Sequence, residues 1–358
     1  MENIHVILRI RPLNSKELLT KEDLIWSINP HTNTMDCKIK DLPPKIPSFA
    51  RSTFSFDCHY PPDSLNQEIY QKSVKPLILT SLEGINTTIF MYGQTGSGKT
   101  YTILGEKEFL KEDTQRILST VNKKELGILL LSIGEMFERI KKDEEKTYMV
   151  KCSYIEIYND TIFDLLKPLN GHKSESITIN EDQNKEFFLK GVTEQCINNC
   201  EEILEMLKQG EINRHYAETN MNHVSSRSHT VFRIAITTFT NNCIRTLRKE
   251  TLNKKFNLDD NLNIINQDLL DQETLVTESY VNFVDLAGSE KLNIMNMGVQ
   301  SQEDEENRGP MGYNGSFDTG NMSNFREKGK ERVREGQFIN KSLFFLTQVI
   351  AMKSEGKK

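Results

Sequence analysis

Apolar and polar positions alternate along the chain in two different periods. Runs rich in β-branched and aromatic residues predict strands, and these runs lie at His5–Ile10, Phe54–Phe56, Asn86–Tyr92, Tyr148–Tyr158, Thr230–Phe239 and Ser279–Asp285. Apolar residues at helical spacing predict helices, which lie at Asn66–Glu83, Gly127–Ile140, Cys200–Gly210 and Arg332–Lys353. Strands that alternate with helices are typical of an α/β domain. We therefore expect a mostly parallel or mixed sheet with helices on both faces.

Three segments have a more specific pattern. Asn86–Tyr92 contains no charge, which predicts a strand buried on both faces. Ser176–Val192 predicts a hairpin with a polar tip. The segment Asn241–Glu278 is rich in Asn, Asp and Lys, and it predicts a long insert between two strands.

A second polar insert is predicted at Asn293–Glu327. Its residues cannot fill a core, so we predict that it is disordered. Both inserts are expected to lie outside the core.

Composition narrows the class of protein. The 358 residues are 37% hydrophobic and 27% charged, as in a folded soluble protein, and the net charge of −6 does not indicate nucleic-acid binding. The six cysteines form no CxxC pair, which predicts reduced thiols in the cytoplasm. Cys196 and Cys200 are interpreted either as two half-buried thiols or as part of a zinc site. A zinc site would need a second pair of ligands, which the sequence does not supply beside them. No segment predicts a signal peptide or a membrane span.

The first motif with chemistry follows Asn86–Tyr92. Residues Gly93–Thr100 read GQTGSGKT, which matches the phosphate-binding pattern GxxxxGK[ST] in full. Lys99 is expected to reach the β and γ oxygens of a nucleotide, and Thr100 to ligate Mg²⁺. The predicted phosphate-binding residues are Gly93, Gln94, Thr95, Gly96, Ser97, Gly98, Lys99 and Thr100.

Two further motifs supply what hydrolysis needs. Asp285 ends a predicted strand, where a carboxylate can hold Mg²⁺ through water, although an acid there can also cap a helix. Gly288 can offer its backbone N–H to the γ-phosphate. Asn222–His229 places three hydroxyls and an arginine in one loop, which is either a phosphate sensor or a solvated turn. His229 in that loop is interpreted as an orienting hydrogen-bond group rather than a metal ligand.

GQTGSGKT at Gly93–Thr100, NHVSSRSH at Asn222–His229 and DLAGSE at Asp285–Glu290 resemble, in this order, the P-loop, switch I and switch II of kinesins. The segments VILRIRPLN from Val6, SYIEIYNDTIFDLL from Ser153 and INKSL from Ile339 are also similar to kinesin segments, in the family's order. The resemblance covers nearly the whole chain except the two inserts and Ser15–Ser52. GEINRHYAETNMN and REGQFINKSLFFLTQVI are similar to the centromere-associated subfamily.

The resemblance implies a P-loop NTPase sandwich of three layers and an ATPase activity with Mg²⁺, stimulated by microtubules. It places Arg9, Arg11, Pro12 and Tyr101 at the adenine and ribose. Further roles implied for the switch residues are Mg²⁺ binding by Ser226, a position near the γ-phosphate for Ser225, a salt bridge between Arg227 and Glu290, and proton relay by Glu290.

A basic cluster near the last predicted helix bears on the partner. Its members are Arg326, Lys328, Lys330, Arg332, Arg334 and Lys341. Glutamates interleave with them, so the cluster alone is more typical of a solvated helix face than of a binding surface. The resemblance implies instead that this helix lies on acidic tubulin, which places the protein on the microtubule cytoskeleton.

The resemblance also implies that a motor domain continues beyond Lys358. One implied strand would lie between the N-terminal strand and the P-loop strand. We therefore expect residues 1–358 alone to be poorly soluble or loosely folded, and unable to move along microtubules.

Two other functions are considered. A GTPase would need [NT]KxD after the P-loop, whereas Thr20–Asp23 carries those letters before it. The second function is that of a kinesin-like protein that binds microtubules or regulates tubulin without moving. Against this function, every residue that hydrolysis needs is present.

Overall fold

The structure, a computed structural model, describes residues 4–20, 26–37, 53–106, 126–167, 177–183, 185, 187–221, 225–240, 275–290 and 319–354. The helices are α1 (Ser15–Leu19), α2 (Asn66–Ile69), α3 (Lys75–Leu82), α4 (Lys99–Leu104), α5 (Ile128–Lys142), α6 (Cys200–Met221) and α7 (Thr319–Ser354). A π turn, Tyr70–Val74, joins α2 to α3, and a 3-10 turn lies at Ser225–Arg227.

Thirteen strands lie in the described residues. They are β1 (Ile7–Arg9), β2 (Trp26–Asn29), β3 (Thr34–Cys37), β4 (Phe54–Ser55), β5 (Cys58–Tyr60), β6 (Thr87–Met91), β7 (Lys146–Tyr158), β8 (Thr161–Asp164), β9 (Thr178–Glu181), β10 (Phe187–Lys190), β11 (Gln195–Ile197), β12 (His229–Thr240) and β13 (Leu275–Asp285).

A six-stranded mixed sheet forms the centre, in the order β11-β7-β12-β13-β6 with β8 paired to β7. The predicted α/β fold with a mixed sheet is confirmed. Parallel pairing is less frequent than we predicted, because only β13 and β6 run parallel in this sheet. The register sets Thr230 opposite both Glu156 and Asp285. It therefore brings the end of β13 beside the start of β12.

The core lies where α3 to α6 pack against alternate residues of the sheet. Ile234 and Ile236 of β12 are fully buried there with Ile78 of α3 and Leu207 of α6. Burial of such aliphatic side chains stabilises the fold by about 1.5–3 kcal/mol each.

The P-loop strand β6 differs from its prediction as a strand buried on both faces. Its burial alternates, and Phe90 is 36% exposed. The reason is its place in the sheet: β6 pairs with β13, while β1 pairs with β5 in a separate two-stranded sheet. Among the described strands, β6 has a neighbour on one side.

The predicted hairpin is confirmed as the antiparallel pair β9 and β10. Helix α6 extends past its predicted end at Gly210. A side chain at Gly210 would meet the Tyr154 ring at 2.4 Å, so this glycine serves close packing of α6 on β7 rather than helix termination.

Both predicted inserts begin outside the described residues, and their described ends are regular. Strand β13 starts at Leu275, so residues 275–278 belong to the sheet rather than to an insert. Helix α7 starts at Thr319, so residues 319–327 are helical. Most of these residues, among them Gly320, Asn321 and Asn324, have low helix propensity, so their helical state comes from continuity with the rest of α7. The remainder, residues 241–274 and 293–318, lies outside the described residues.

No helix of the described residues is both long and apolar enough to cross a membrane.

Candidate functional site

The site is built on the loop between β6 and α4. Gly96 and Gly98 have φ of 77° and 96°, a left-handed backbone that glycine adopts without steric cost. Gly98 is the residue that caps α4, and Lys99 and Thr100 begin that helix. The P-loop motif therefore has the strand-loop-helix context that its function requires.

Lys99 is folded back over this loop. Its ammonium donates to the carbonyls of Gly93 at 2.8 Å and Gln94 at 3.0 Å. Burial lowers the pKa of Lys99, and the charges of Asp285 and Glu290 oppose that shift. A half-buried cation thus lies at the mouth of the loop.

Thr100 and Asp285 meet at the end of β13 where Asp285 lies. The Thr100 hydroxyl donates to one carboxylate oxygen of Asp285. The other oxygen, Oδ1, is buried and has no hydrogen-bond partner among the described atoms. Burial raises the pKa of Asp285, while the bond from Thr100 acts against this rise. A buried acceptor beside a hydroxyl fits an Mg²⁺ ion with bound water, because Mg²⁺ prefers oxygen ligands and keeps several waters.

Backbone hydrogen bonds hold the P-loop and both switch segments together. Gly288 donates its N–H to the Ser226 carbonyl at 2.8 Å, and Ser289 donates to the Gly93 carbonyl at 3.1 Å. The sequence predicts that the Gly288 N–H faces a phosphate, but in the structure it is bonded to the 3-10 turn. These bonds join Ser226, the switch II segment and the P-loop that Lys99 binds into one assembly.

Glu290 has a different partner from the one predicted. Its carboxylate accepts from both the backbone N–H of Thr95, at 2.8 Å, and the Thr95 hydroxyl. Burial raises the pKa of Glu290, but these bonds and the Lys99 charge hold it below its usual range. The predicted salt bridge to Arg227 is therefore not the arrangement seen. Thr95 offers two donors at one place, which suits both carboxylate oxygens.

Gly288 lies where these groups crowd together. A Cβ there would meet Glu290 Oε2 and Thr95 Oγ1, both at 2.4 Å. We expect the added Cβ of Gly288→Ala to shift the backbone at Gly288, which bonds to Ser226, and to weaken nucleotide turnover by about tenfold, since overpacking typically costs about 1–3 kcal/mol. Steady-state turnover measures this. The matched control is Gly134→Ala, where a Cβ meets nothing within 4 Å. Equal rates in the two variants would contradict the crowding.

The predicted adenine contacts fall into two groups. Arg9 and Tyr101 come together, with the guanidinium 5.4 Å from the ring centre. Arg9 also donates to Asn66 and Thr102, at 2.6 Å in both cases. These bonds fix an aromatic surface at the first residues of α4, suited to stacking of a base.

Arg11 and Pro12 belong to the second group. Arg11 binds Glu17 at 2.6 Å and the Pro12 carbonyl at 3.0 Å, and Pro12 is exposed. Arg11 is therefore held by the first turn of α1.

A buried ionic network behind the 3-10 turn was not predicted. Arg214 of α6 donates to Glu156 of β7 at 3.2 Å and to Ser228 at 3.3 Å, and Ser228 donates to Glu156 at 2.5 Å. Glu156 is 1% exposed and Arg214 4%. The signal in the sequence is an acid between two isoleucines of an apolar strand, since such a buried charge requires a partner.

Arg214→Ala should destabilise the fold by about 3–5 kcal/mol, because it leaves the Glu156 carboxylate buried and unpaired. Urea unfolding measures the loss. Arg139→Ala is the control: the Arg139 side chain is 52% exposed, its partner Glu135 keeps a second cation in Lys75, and ion pairs at the surface contribute about 0–1 kcal/mol. Adding Glu156→Leu to Arg214→Ala should recover part of the lost free energy of unfolding. Equal losses for Arg214→Ala and Arg139→Ala would show that the network carries no stability.

Comparisons with known proteins show the family of the chain. The kinesin motor domain family matches residues 9–308. Centromere-associated protein E of Homo sapiens is 30% identical over 99% of this chain, which covers 10% of that protein. Kinesin heavy chain of Strongylocentrotus purpuratus is 29% identical over 99% of this chain, which covers 26% of that protein.

A solved structure of a fast kinesin is similar in fold. Its TM-score is 0.62 at 27% identity, over 85% of this chain and 70% of that one. The chain spans less than half the length of the curated relatives it matches. Since the family matches most of the chain, and the P-loop, both switch segments and the mixed sheet agree with it, the chain belongs to the kinesin motor domain family.

Proposed function

We propose that this chain hydrolyses ATP and uses the reaction to control its grip on microtubules. The observation that carries the proposal is the assembly of P-loop, 3-10 turn and switch II segment through the backbone bonds of Gly288 and Ser289. Phosphoryl transfer depends on positioning and charge neutralisation. An assembly of this kind both performs the chemistry and changes shape with it.

The chain's own residues divide this work. Lys99 supplies the positive charge for the phosphates, once it exchanges the Gly93 and Gln94 carbonyls for phosphate oxygens. Thr100, Asp285 and Ser226 would hold Mg²⁺, which supplies charge neutralisation when bound. Arg9 and Tyr101 orient the base.

Glu290 and Arg227 are proposed to form the latch between the two switch segments. For this, Glu290 must release Thr95. The carboxylate is then available to Arg227 and to the proton of an attacking water.

Microtubule binding is proposed for the side of the molecule that carries α7. This helix contacts the 3-10 turn Ser225–Arg227, so the nucleotide site and the helix are in direct contact. Lys341 is 54% exposed on α7 and pairs with Asp160 at 2.7 Å. A basic helix beside the switch segments suits a partner with an acidic surface.

We also propose membership of the centromere-associated subfamily, which would place the whole protein on spindle microtubules. Support comes from the segments named above and from the 30% identity to the human protein; KIN-7O of Arabidopsis thaliana is also 30% identical. Imaging of the tagged whole protein in dividing cells tests this, and its absence from spindles would contradict it.

Nucleotide choice tests the proposed chemistry itself. ATP, GTP and other triphosphates should be compared as competitors for a fluorescent ATP analogue on the whole protein. We expect ATP to compete best and to be turned over. Preference for GTP would assign the chain to a different activity.

A further inference from the structure

His229 joins three elements of the molecule. It begins β12, one residue after the 3-10 turn Ser225–Arg227, which we call the switch I turn, and it is 8% exposed. Its Nδ1 lies 2.9 Å from the backbone nitrogen of Ala287 in the switch II segment. Its Nε2 lies 2.8 Å from the hydroxyl oxygen of Ser342 on α7. We call His229, Ala287 and Ser342 the imidazole junction.

The partners of the ring determine its proton. The Ala287 N–H can only donate, so Nδ1 must be the accepting nitrogen. The Ser342 hydroxyl donates to the Ile339 carbonyl of its own helix at 2.8 Å, so its oxygen is free to accept from Nε2–H. Burial and the Lys99 charge lower the pKa of His229 to about 4, which agrees with a neutral ring. One tautomer therefore satisfies both bonds.

The two ends of this junction lie in functionally different places. Ala287 is next to Gly288, whose N–H holds the switch I turn at Ser226. Ser342 is next to Leu343, which is 7% exposed and anchors α7 to the body of the molecule. A rigid ring that bonds at both edges transmits a displacement of the Ala287 backbone to α7. Another polar contact of this helix among the described residues, from Lys341 to Asp160, is about half exposed and hence weak.

We infer that His229 is a positioning residue that couples the switch II backbone at Ala287 to α7 through Ser342. This inference rests on the proposed function. A microtubule bound at α7 accelerates ATP turnover in the proposed function. We assign part of that acceleration to the hydrogen bond from His229 Nε2–H to Ser342. The ring itself touches neither nucleotide nor microtubule in this role.

Two variants remove that bond from opposite sides. Ser342→Ala deletes the acceptor. His229→Asn keeps an amide oxygen near the position of Nδ1 for the Ala287 N–H, but it does not reach Ser342. Ser354→Ala is the matched control, because the Ser354 hydroxyl donates to the carbonyl three residues earlier, Ala351, at 2.8 Å, as Ser342 does to Ile339.

Turnover by the whole protein is measured against ATP and microtubule concentration. We expect both variants to lower the microtubule-stimulated kcat by about fivefold, the effect of one hydrogen bond, with the KM for ATP changed less than about twofold. Ser354→Ala should match wild type. The double variant should be no slower than either single variant, since both remove one bond.

Failure of the inference is separable from failure of the proposed function. Wild-type turnover that microtubules do not stimulate would overturn the proposed function. Stimulated wild type with Ser342→Ala equal to Ser354→Ala would overturn the junction alone. Additive losses in the double variant would also overturn it, because His229 and Ser342 would then act separately.

Discussion

Replacing Lys99 by alanine is expected to abolish tight ATP binding and to lower turnover by at least about a hundredfold. The ammonium lies over the P-loop, bound to the Gly93 and Gln94 carbonyls, and among the described P-loop residues it is the only charged side chain. Removing one preorganised charge or donor from a phosphate or oxyanion site typically costs a factor of about 10²–10³. Alanine leaves no donor in its place.

Binding of a fluorescent ATP analogue and steady-state phosphate release measure this loss. Lys142→Ala is the control, since that lysine is 75% exposed on α5. The control should bind and hydrolyse ATP as wild type does. Unchanged ATP affinity and rate in Lys99→Ala would refute the assignment of the P-loop.

Glu290→Ala and Arg227→Ala form the second large prediction. Each should slow the hydrolysis step by at least about a hundredfold while ATP still binds, because each removes one half of the proposed latch. Since the two partners act as a unit, the double variant should be little worse than either single variant. The P-loop contacts of Lys99 and Thr100 remain in both.

Single-turnover hydrolysis separates this step from binding. Thr95→Val tests the contact that Glu290 makes in the structure, because it removes the hydroxyl and keeps the backbone N–H. It should affect hydrolysis much less than Glu290→Ala. Additive losses for Arg227 and Glu290 would argue against a direct pair.

The P-loop was predictable because its signal is local. Gly93–Thr100 contains every residue of the motif in one run, and the apolar strand before it gives the context. Asp285 was predictable for the same reason, as a carboxylate at the end of an apolar run. The mixed sheet followed from the strand and helix periods.

Partners distant in sequence were harder to predict. Glu290 and Thr95 are 195 positions apart, and their contact depends on how β6, β12 and β13 align in the sheet. Periodicity gives the faces of a strand but not its neighbours. The resemblance supplied Arg227 as a partner for Glu290, and it carried no information on the Thr95 contact.

The start of α7 shows a different limit. Residues 319–331 contain few apolar side chains, so no hydrophobic period marks them as helix. Gly320, Asn321 and Asn324 have low helix propensity, so the helical state follows from continuity with the apolar part of α7, where Leu343 is buried. A polar segment attached to a packed helix therefore resembles an insert when only the sequence is read.

The decisive measurement is the steady-state ATP turnover of the whole protein with and without microtubules. We expect slow turnover alone and at least about a tenfold increase at saturating microtubules, because α7 contacts the 3-10 turn Ser225–Arg227 and binding there should favour the reactive arrangement. Unpolymerised tubulin is the control that shows whether the increase requires the microtubule lattice. Equal turnover with and without microtubules, in a protein that binds and hydrolyses ATP, would contradict the claim that this site drives a microtubule motor.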